Sequence, residues 1–324
     1  MIRQLDKNLF LIPITLPNNP LKFINTYLIR GERDLLIDTG FNNDICEAEM
    51  LESFDILQVD QKRLDIFVTH FHSDHVGLAN RLLTPLSRFY CNYEIESIVN
   101  ECNNKISNKS FRTPGWSFES WGVQTADYSL QMPQELDVGF TSIPENTRYL
   151  HDNDKISYGG HDFYYIKTPG HMFDHGCLYE PHKKWLFCGD LILDHITPAI
   201  SSYCFDDDDL QMYIQSLEKI ATYPNIKAYS GHYATITDCG QRILEIIGHH
   251  HKRLSEVEEI LSGKFLTVAQ VAENMRWHIK DHQWNRMQKY FTMGEAMAHL
   301  AYLYQNNRAN VKTCNNVLYF SRDS

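Results

Sequence analysis

Residues 67–77, FVTHFHSDHVG, set His70, His72, Asp74 and His75 within six positions directly behind an apolar run. A lone histidine after a strand is ordinarily a core residue satisfying one hydrogen bond. Four nitrogen and oxygen donors at the spacing H-x-H-x-D-H read instead as a metal-ligand set. They also constrain the fold. A short buried strand, LDIFVTH, has to deliver the loop, and other strand ends have to bring the remaining donors to it. The chain supplies those donors. His171 stands in TPGH, Asp190 in CGD and His232 in SGH, each after a strand-like apolar run and beside a glycine that lets the backbone turn sharply. Convergence on one edge of a sheet sandwich accounts for the pattern.

Seven donors are more than one ion takes. A catalytic zinc uses three protein ligands and an open position, whereas a pair needs about twice that number and a bridging carboxylate. We assign His70, His72 and His171 to one ion and Asp74, His75 and His232 to a second, with Asp190 bridging. No cysteine belongs to the set, so two divalent ions are expected, zinc first, with iron and manganese also compatible. A water held between two such ions loses a proton near neutral pH and becomes a hydroxide nucleophile. Asp74 is the residue expected to orient it and to shuttle its proton to the leaving group.

The 324 residues, 43% hydrophobic, suffice for one large and one small domain. The opening strands LFLIPIT, KFINTYLIR and DLLIDTG precede a helix whose expected apolar stripe is Ile45, Met50, Leu51, Phe54 and Leu57. From about 91 to 150 the rhythm breaks. This aromatic, polar insertion reads as a substrate lid, with Arg112, Trp116, Phe118 and Trp121 as its candidate contacts. Hairpins with turns at Gly159-Gly160 and near Pro181 follow, then a long amphipathic helix over 238–263. Its run His249-His250-His251 reads as a solvated turn. We expect a catalytic domain over 1–248 and, over 249–324, a small, mainly helical domain whose helix–helix–helix–hairpin order is winged-helix-like, with Thr267 as an N-cap.

LLIDTG, THFHSDHVG, TPGH, CGD and SGH, in this order, resemble the metallo-β-lactamase superfamily. The resemblance implies an α/β fold, an αββα sandwich with a dinuclear site along one edge, and a supporting role for Asp38 beneath the ligand loop. His175, four residues after His171, is read as a further supporting residue. The C-terminal segment and GDLILDHITPAIS are similar to the lactamase-β-like group, which includes acyl-carrier and CoA thioesterases and single-strand endoribonucleases.

The resulting expectation is hydrolysis of an ester or thioester of a small-molecule acyl substrate. Single-strand RNA or other phosphodiester cleavage, lactone hydrolysis, and a regulatory binding role are the alternatives. A net charge of −11 argues against a broad nucleic-acid-binding face and leaves a local basic groove open. The acidic run FDDDDL, residues 205–210, would repel a phosphate chain if it lies near the mouth. The eight cysteines form no C-x-x-C pair, and no window reaches the roughly 20 apolar residues of a membrane span. A cytoplasmic protein without a membrane partner is expected, with a homodimer possible.

Overall fold

Alternation of apolar side chains builds the first sheet. In the computed structural model, which describes residues 1–96, 99, 119–123, 140, 142–202, 205–277 and 286–322, seven strands lie in sequence order. They are β1 (Arg3–Asp6), β2 (Leu9–Thr15), β3 (Phe23–Ile29), β4 (Asp34–Ile37), β5 (Leu64–Phe67), β6 (Phe89–Asn92) and β7 (Thr147–Leu150). Pairing is antiparallel through β4 and parallel from β4 to β7. The switch needs a crossover, which α1 (Asp44–Leu57) provides. The second sheet has the order β12-β11-β10-β9-β8, from β8 (Lys155–Tyr158), β9 (His161–Lys167), β10 (Gly176–Glu180), β11 (Trp185–Gly189) and β12 (Lys227–Ser230). Only β11 and β12 pair in parallel in this sheet, with α4 (Asp209–Ala221) in their crossover.

Each sheet is apolar on both faces. Leu9, Leu11, Tyr27 and Ile29 pack inward against Phe163, Leu178, Phe187 and Tyr229 of the other sheet. Ile12, Ile14 and Leu36 face outward onto Cys46, Met50 and Phe54 of α1. On the opposite outer face, Ile166, Leu186 and Cys188 meet Leu210 and Leu217 of α4 and Ile243 of α5 (Cys239–Leu261). These layers are the expected αββα sandwich. The stripe of α1 is set differently from the sequence reading: Cys46, Met50 and Phe54 are buried, while Ile45 and Leu51 are exposed.

The same outer core continues into the C-terminal helices. Leu254 and Val257 of α5 pack with Val271 of α6 (Val268–Asn274) and with Met297 and Leu300 of α7 (Arg286–Gln305). Residue 248 lies inside α5. Thr267 caps α6 with a reciprocal pair, its hydroxyl accepting from Gln270 N (3.2 Å) and its own N–H donating to Gln270 Oε1 (3.0 Å). A hairpin of β13 (Asn310–Cys314) and β14 (Val317–Ser321) ends the described chain, turning on Asn315 and Asn316, both at positive φ. Among the described residues no helix is long and apolar enough to cross a membrane.

His250 departs from the expected solvated turn. It is buried against Tyr213 and His299, and its Nδ1 lies 3.4 Å from His299 Nε2. His299 Nδ1 donates to the Glu295 carbonyl (2.8 Å), so the pair packs as two neutral imidazoles. Burial holds His299 down at about 3, reinforced by Arg253 and His249, and burial beside His299 and His249 also lowers His250. An unfolded histidine takes up a proton below pH 6.5, and the folded His299 does not until about pH 3. Stability is therefore expected to fall as pH drops below 6.5, by about 2 kcal/mol from His299 alone at pH 5. Denaturant unfolding of the parent and of His299→Gln checks this. The variant should lose less stability between pH 7 and pH 5, and equal losses would refute the assignment.

Candidate metal centre

The first ligand loop is shaped from beneath. Asp38, just beyond β4, sits at φ 58°, a left-handed conformation that aspartate tolerates better than most residues, and its N–H donates to Phe67 O (2.9 Å). Its carboxylate accepts from Thr69 N (2.8 Å) and lies 2.9 Å from Thr69 Oγ1. Thr69 Oγ1 in turn meets His70 Nδ1 at 3.0 Å. The short helix α2 (Ser73–Val76), followed by the equally short α3 (Ala79–Leu82), then carries Asp74 and His75 back over the site, and His75 Nδ1 reaches Asp38 Oδ2 at 2.8 Å. Asp38 thus supports both ends of the loop.

The other donors leave β9, β11 and β12. His171 follows Gly170, whose φ of 132° and closeness to the Tyr213 backbone exclude any side chain, and its Nδ1 donates to Ala199 O (2.9 Å). Asp190 follows β11. His232 follows β12, its Nδ1 donating to Phe23 O (2.8 Å). The first sheet clamps that last loop: Asn25 Nδ2 donates to Tyr233 O (2.9 Å) and Tyr27 OH to Ser230 O (2.7 Å). His70, His75, His171 and His232 therefore have Nδ1 engaged on the outside and Nε2 turned inward, the arrangement by which an outer partner fixes a ligating imidazole.

Two donor groups result, His70–His72–His171–Asp190 and Asp74–His75–His232, their ligand atoms within 4.8 Å of one another in each group. In the first, His72 Nδ1 lies 2.8 Å from His70 Nε2 and 3.1 Å from His171 Nε2. Three nitrogens about 2.0–2.1 Å from one tetrahedral ion stand roughly 3.3 Å apart, close to this spacing. In the second, Asp74 Oδ2 is 3.2 Å from His232 Nε2. Asp190 stands between the groups, with Oδ2 3.8 Å from His171 Nε2 and 3.6 Å from His232 Nε2, and Oδ1 3.5 Å from His75 Nε2.

Electrostatics agree with cation binding. Burial, then the neighbouring imidazoles, push His70 well below its usual range, and burial beside His171 takes His72 to about 3. Both are neutral with lone pairs available. Burial opposes charge on His75, yet Asp38, Asp190 and Asp74 together hold it well above its ordinary value, a local excess of negative charge that a divalent cation would neutralise by displacing that proton. Burial likewise opposes charge on Asp190, and His232 and His75 outweigh it, keeping the carboxylate ionised. His75 Nε2, His232 Nε2 and Asp190 Oδ1 are buried without a hydrogen-bond partner. Buried polar atoms are rarely left unsatisfied. Such atoms converging from a set of imidazoles and carboxylates fit divalent cations.

His175 lies behind His70, its ring centroid 5.1 Å away and its Nδ1 2.8 Å from Thr168 Oγ1. Arg112, Trp116 and Phe118 lie outside the described residues. Trp121 is not a surface lid residue: its ring is 1% exposed, packed in the core shared with the C-terminal helices, and its carbonyl accepts from Ala269 N (3.0 Å). Sequence reasoning missed Thr69, Asn25 and Tyr27. Thr69 had a signal, a hydroxyl directly before the first ligand. Gly231 is a further constraint, because a Cβ there would stand 2.7 Å from both Asp190 Oδ1 and His75 Cε1. Gly231→Ala is expected to fold and to bind metal about 10–100-fold more weakly, the scale on which disturbed ligand support acts. Metal titration monitored by competition with a chelating dye checks it, and unchanged affinity would refute the crowding.

The sequence matches the Metallo-beta-lactamase superfamily over residues 19–232. It is 27% identical to the Beta-lactamase-like protein 2 homolog of Caenorhabditis elegans, over 73% of this chain and 65% of that protein. It is 25% identical to the Atrochrysone carboxyl ACP thioesterase of Claviceps purpurea, over 75% and 62%. The chain thus spans somewhat under two thirds of the length of these relatives. A beta-lactamase domain protein from Burkholderia ambifaria has the same fold, with a TM-score of 0.83 at 22% identity over 99% of this chain and 93% of that one. A sandwich with imidazoles and carboxylates gathered at one edge, and a match that runs from β3 through the last of those ligands, have one reading: the chain belongs to the metallo-beta-lactamase superfamily.

Proposed function

We propose that this protein hydrolyses an acyl ester or thioester, of the acyl-carrier or acyl-CoA class, at a two-metal centre. His70, His72 and His171 would hold one ion and Asp74, His75 and His232 the other, with Asp190 shared and zinc the first choice of metal. The observation that carries this reading is the position of Asp190, with one carboxylate facing both donor groups. When bound, such ions lower the pKa of water and polarise a carbonyl oxygen.

The chain's own residues orient and exclude. Ala199 O, Phe23 O, Asp38 and Thr69 fix the imidazoles before substrate arrives, so little reorganisation accompanies the reaction. Asp74 presents Oδ2 to His232, leaving Oδ1 to take the proton of the attacking water and pass it to the leaving sulfur or oxygen as the acyl bond breaks. Ser202, three residues after Ala199, donates to Asp209 of the acidic run (2.6 Å). A net charge of −11 disfavours a polyanionic strand and leaves an acyl chain acceptable. The similarity to a protein named as an acyl-carrier thioesterase supports the same choice.

The test is a panel of acyl-CoA and acyl-carrier thioesters offered to metal-replete protein. Turnover that vanishes in Asp190→Ala is expected. No turnover at any chain length, from protein carrying two ions, would transfer the assignment to single-stranded RNA.

A further inference from the structure

A second cavity, of about 570 Å³, opens where β6 and β7 of one sheet face β8 of the other. None of the seven metal-centre residues lines it. It is an open groove with a mainly polar lining, so its charged side chains, not enclosure, would hold a ligand. Tyr90 and Arg148 are direct partners across the β6–β7 ladder, and Arg88 precedes Tyr90 by two positions, so strand alternation places all three side chains on one face. The Tyr90 hydroxyl lies beside the Arg88 guanidinium. Tyr158 reaches over from β8, its hydroxyl 3.1 Å from that of Tyr90.

The charges here are unbalanced. Asp65, beneath the cavity, is already saturated: Arg33 donates to it twice (2.8 and 2.5 Å), Tyr158 once (2.6 Å) and the Arg88 backbone N–H once (2.7 Å). Asp154 on the wall accepts from His151 N (2.8 Å). Lys155 is paired with Asp162 (3.1 Å). Arg88 and Arg148 make no ion pair among the described residues, and the side chain of Arg148 donates only to its neighbour's carbonyl, Thr147 O (3.2 Å). Two such arginines on one wall are unusual in a chain with 41 acidic and 30 basic residues. Their planar forks match the oxygens of a phosphate.

We propose that this cavity binds a small phosphate-bearing ligand, at a site separate from the metal centre. Phenylphosphonate, a non-hydrolysable phosphate mimic that carries a ring, is the probe, with benzoate as the carboxylate comparison. Calorimetric titration of the metal-replete full chain should show saturable phenylphosphonate binding. It should weaken at least tenfold in Arg88→Gln and in Arg148→Gln and persist in Asp190→Ala. Both arginine variants change exposed side chains outside the hydrolytic site, so unchanged thermal unfolding and turnover should accompany the loss. Absence of saturable binding overturns the proposal. Binding that survives Arg148→Gln but disappears in Asp190→Ala also overturns it, since the anion would then sit on the metals. Benzoate binding as tightly as phenylphosphonate overturns the phosphate assignment.

Discussion

Asp190→Ala is expected to reduce kcat/KM on the working substrate by about 10³-fold or more, and to reduce bound metal from two ions per chain to one or none. Loss of a partner outside the coordination sphere costs about 10–100-fold, and a shared ligand should cost more. The reason lies in the geometry. Both oxygens of Asp190 look inward, within 3.5–3.8 Å of His75, His171 and His232, so one carboxylate faces nitrogens of both donor groups. Removing the carboxylate leaves Asp74 as the only anion on the inner side of His75 and His232 among the described residues. The backbone has no such dependence on Asp190, because Gly231 N donates to Gly189 O (2.8 Å) and Leu191 N to Cys188 O (2.9 Å), so the fold should survive. Elemental analysis, circular dichroism and kinetics on one preparation separate these effects. A folded variant that keeps two ions and most of its activity would show that the carboxylate is not shared.

The donor set was legible because its chemistry is confined to side chains at strand ends, where H-x-H-x-D-H and three glycine-flanked residues admit few other readings. Much of what positions those donors was not. Ala199 O and Phe23 O are backbone acceptors, and every residue has one, so no spacing marks them. Asn25 and Tyr27 reach across more than 200 residues to the His232 loop, a contact that exists only once the two sheets stack. Local pattern also misled. In α1 a plausible stripe is out of phase with the face that β2 covers, leaving Ile45 and Leu51 exposed. His250 in a run of three looked solvated until α7 placed His299 against it, 49 residues later. Trp121 looked like a lid residue because it follows two other aromatics, yet it is drawn into the C-terminal core. The strands were legible for the opposite reason: apolar period and turn residues are local, and in β2 to β4 and the Gly159-Gly160 hairpin they agree with the tertiary packing.

Stripping the ions with a chelator is expected to lower the thermal midpoint by about 10 °C or more. The proposed ligands come from positions as far apart as 70 and 232 and meet only in the folded chain, so ions held there would bind the native state alone and stabilise it by mass action. At free metal about 1,000 times Kd each site contributes about 4 kcal/mol, and each kcal/mol moves the midpoint of a domain of 150–250 residues by about 2–4 °C. A larger chain responds at the lower end of that range, and two sites still give a shift well outside error. The stripped protein also keeps the buried atoms His75 Nε2, His232 Nε2 and Asp190 Oδ1 without partners, a cost that bound cations remove. Restoring zinc, iron or manganese one at a time should bring the midpoint back to different extents, and the metal that restores both midpoint and turnover identifies the working ion. A midpoint that does not move when both ions are gone would mean that these seven side chains are held by packing alone, and the two-metal reading would fail with it.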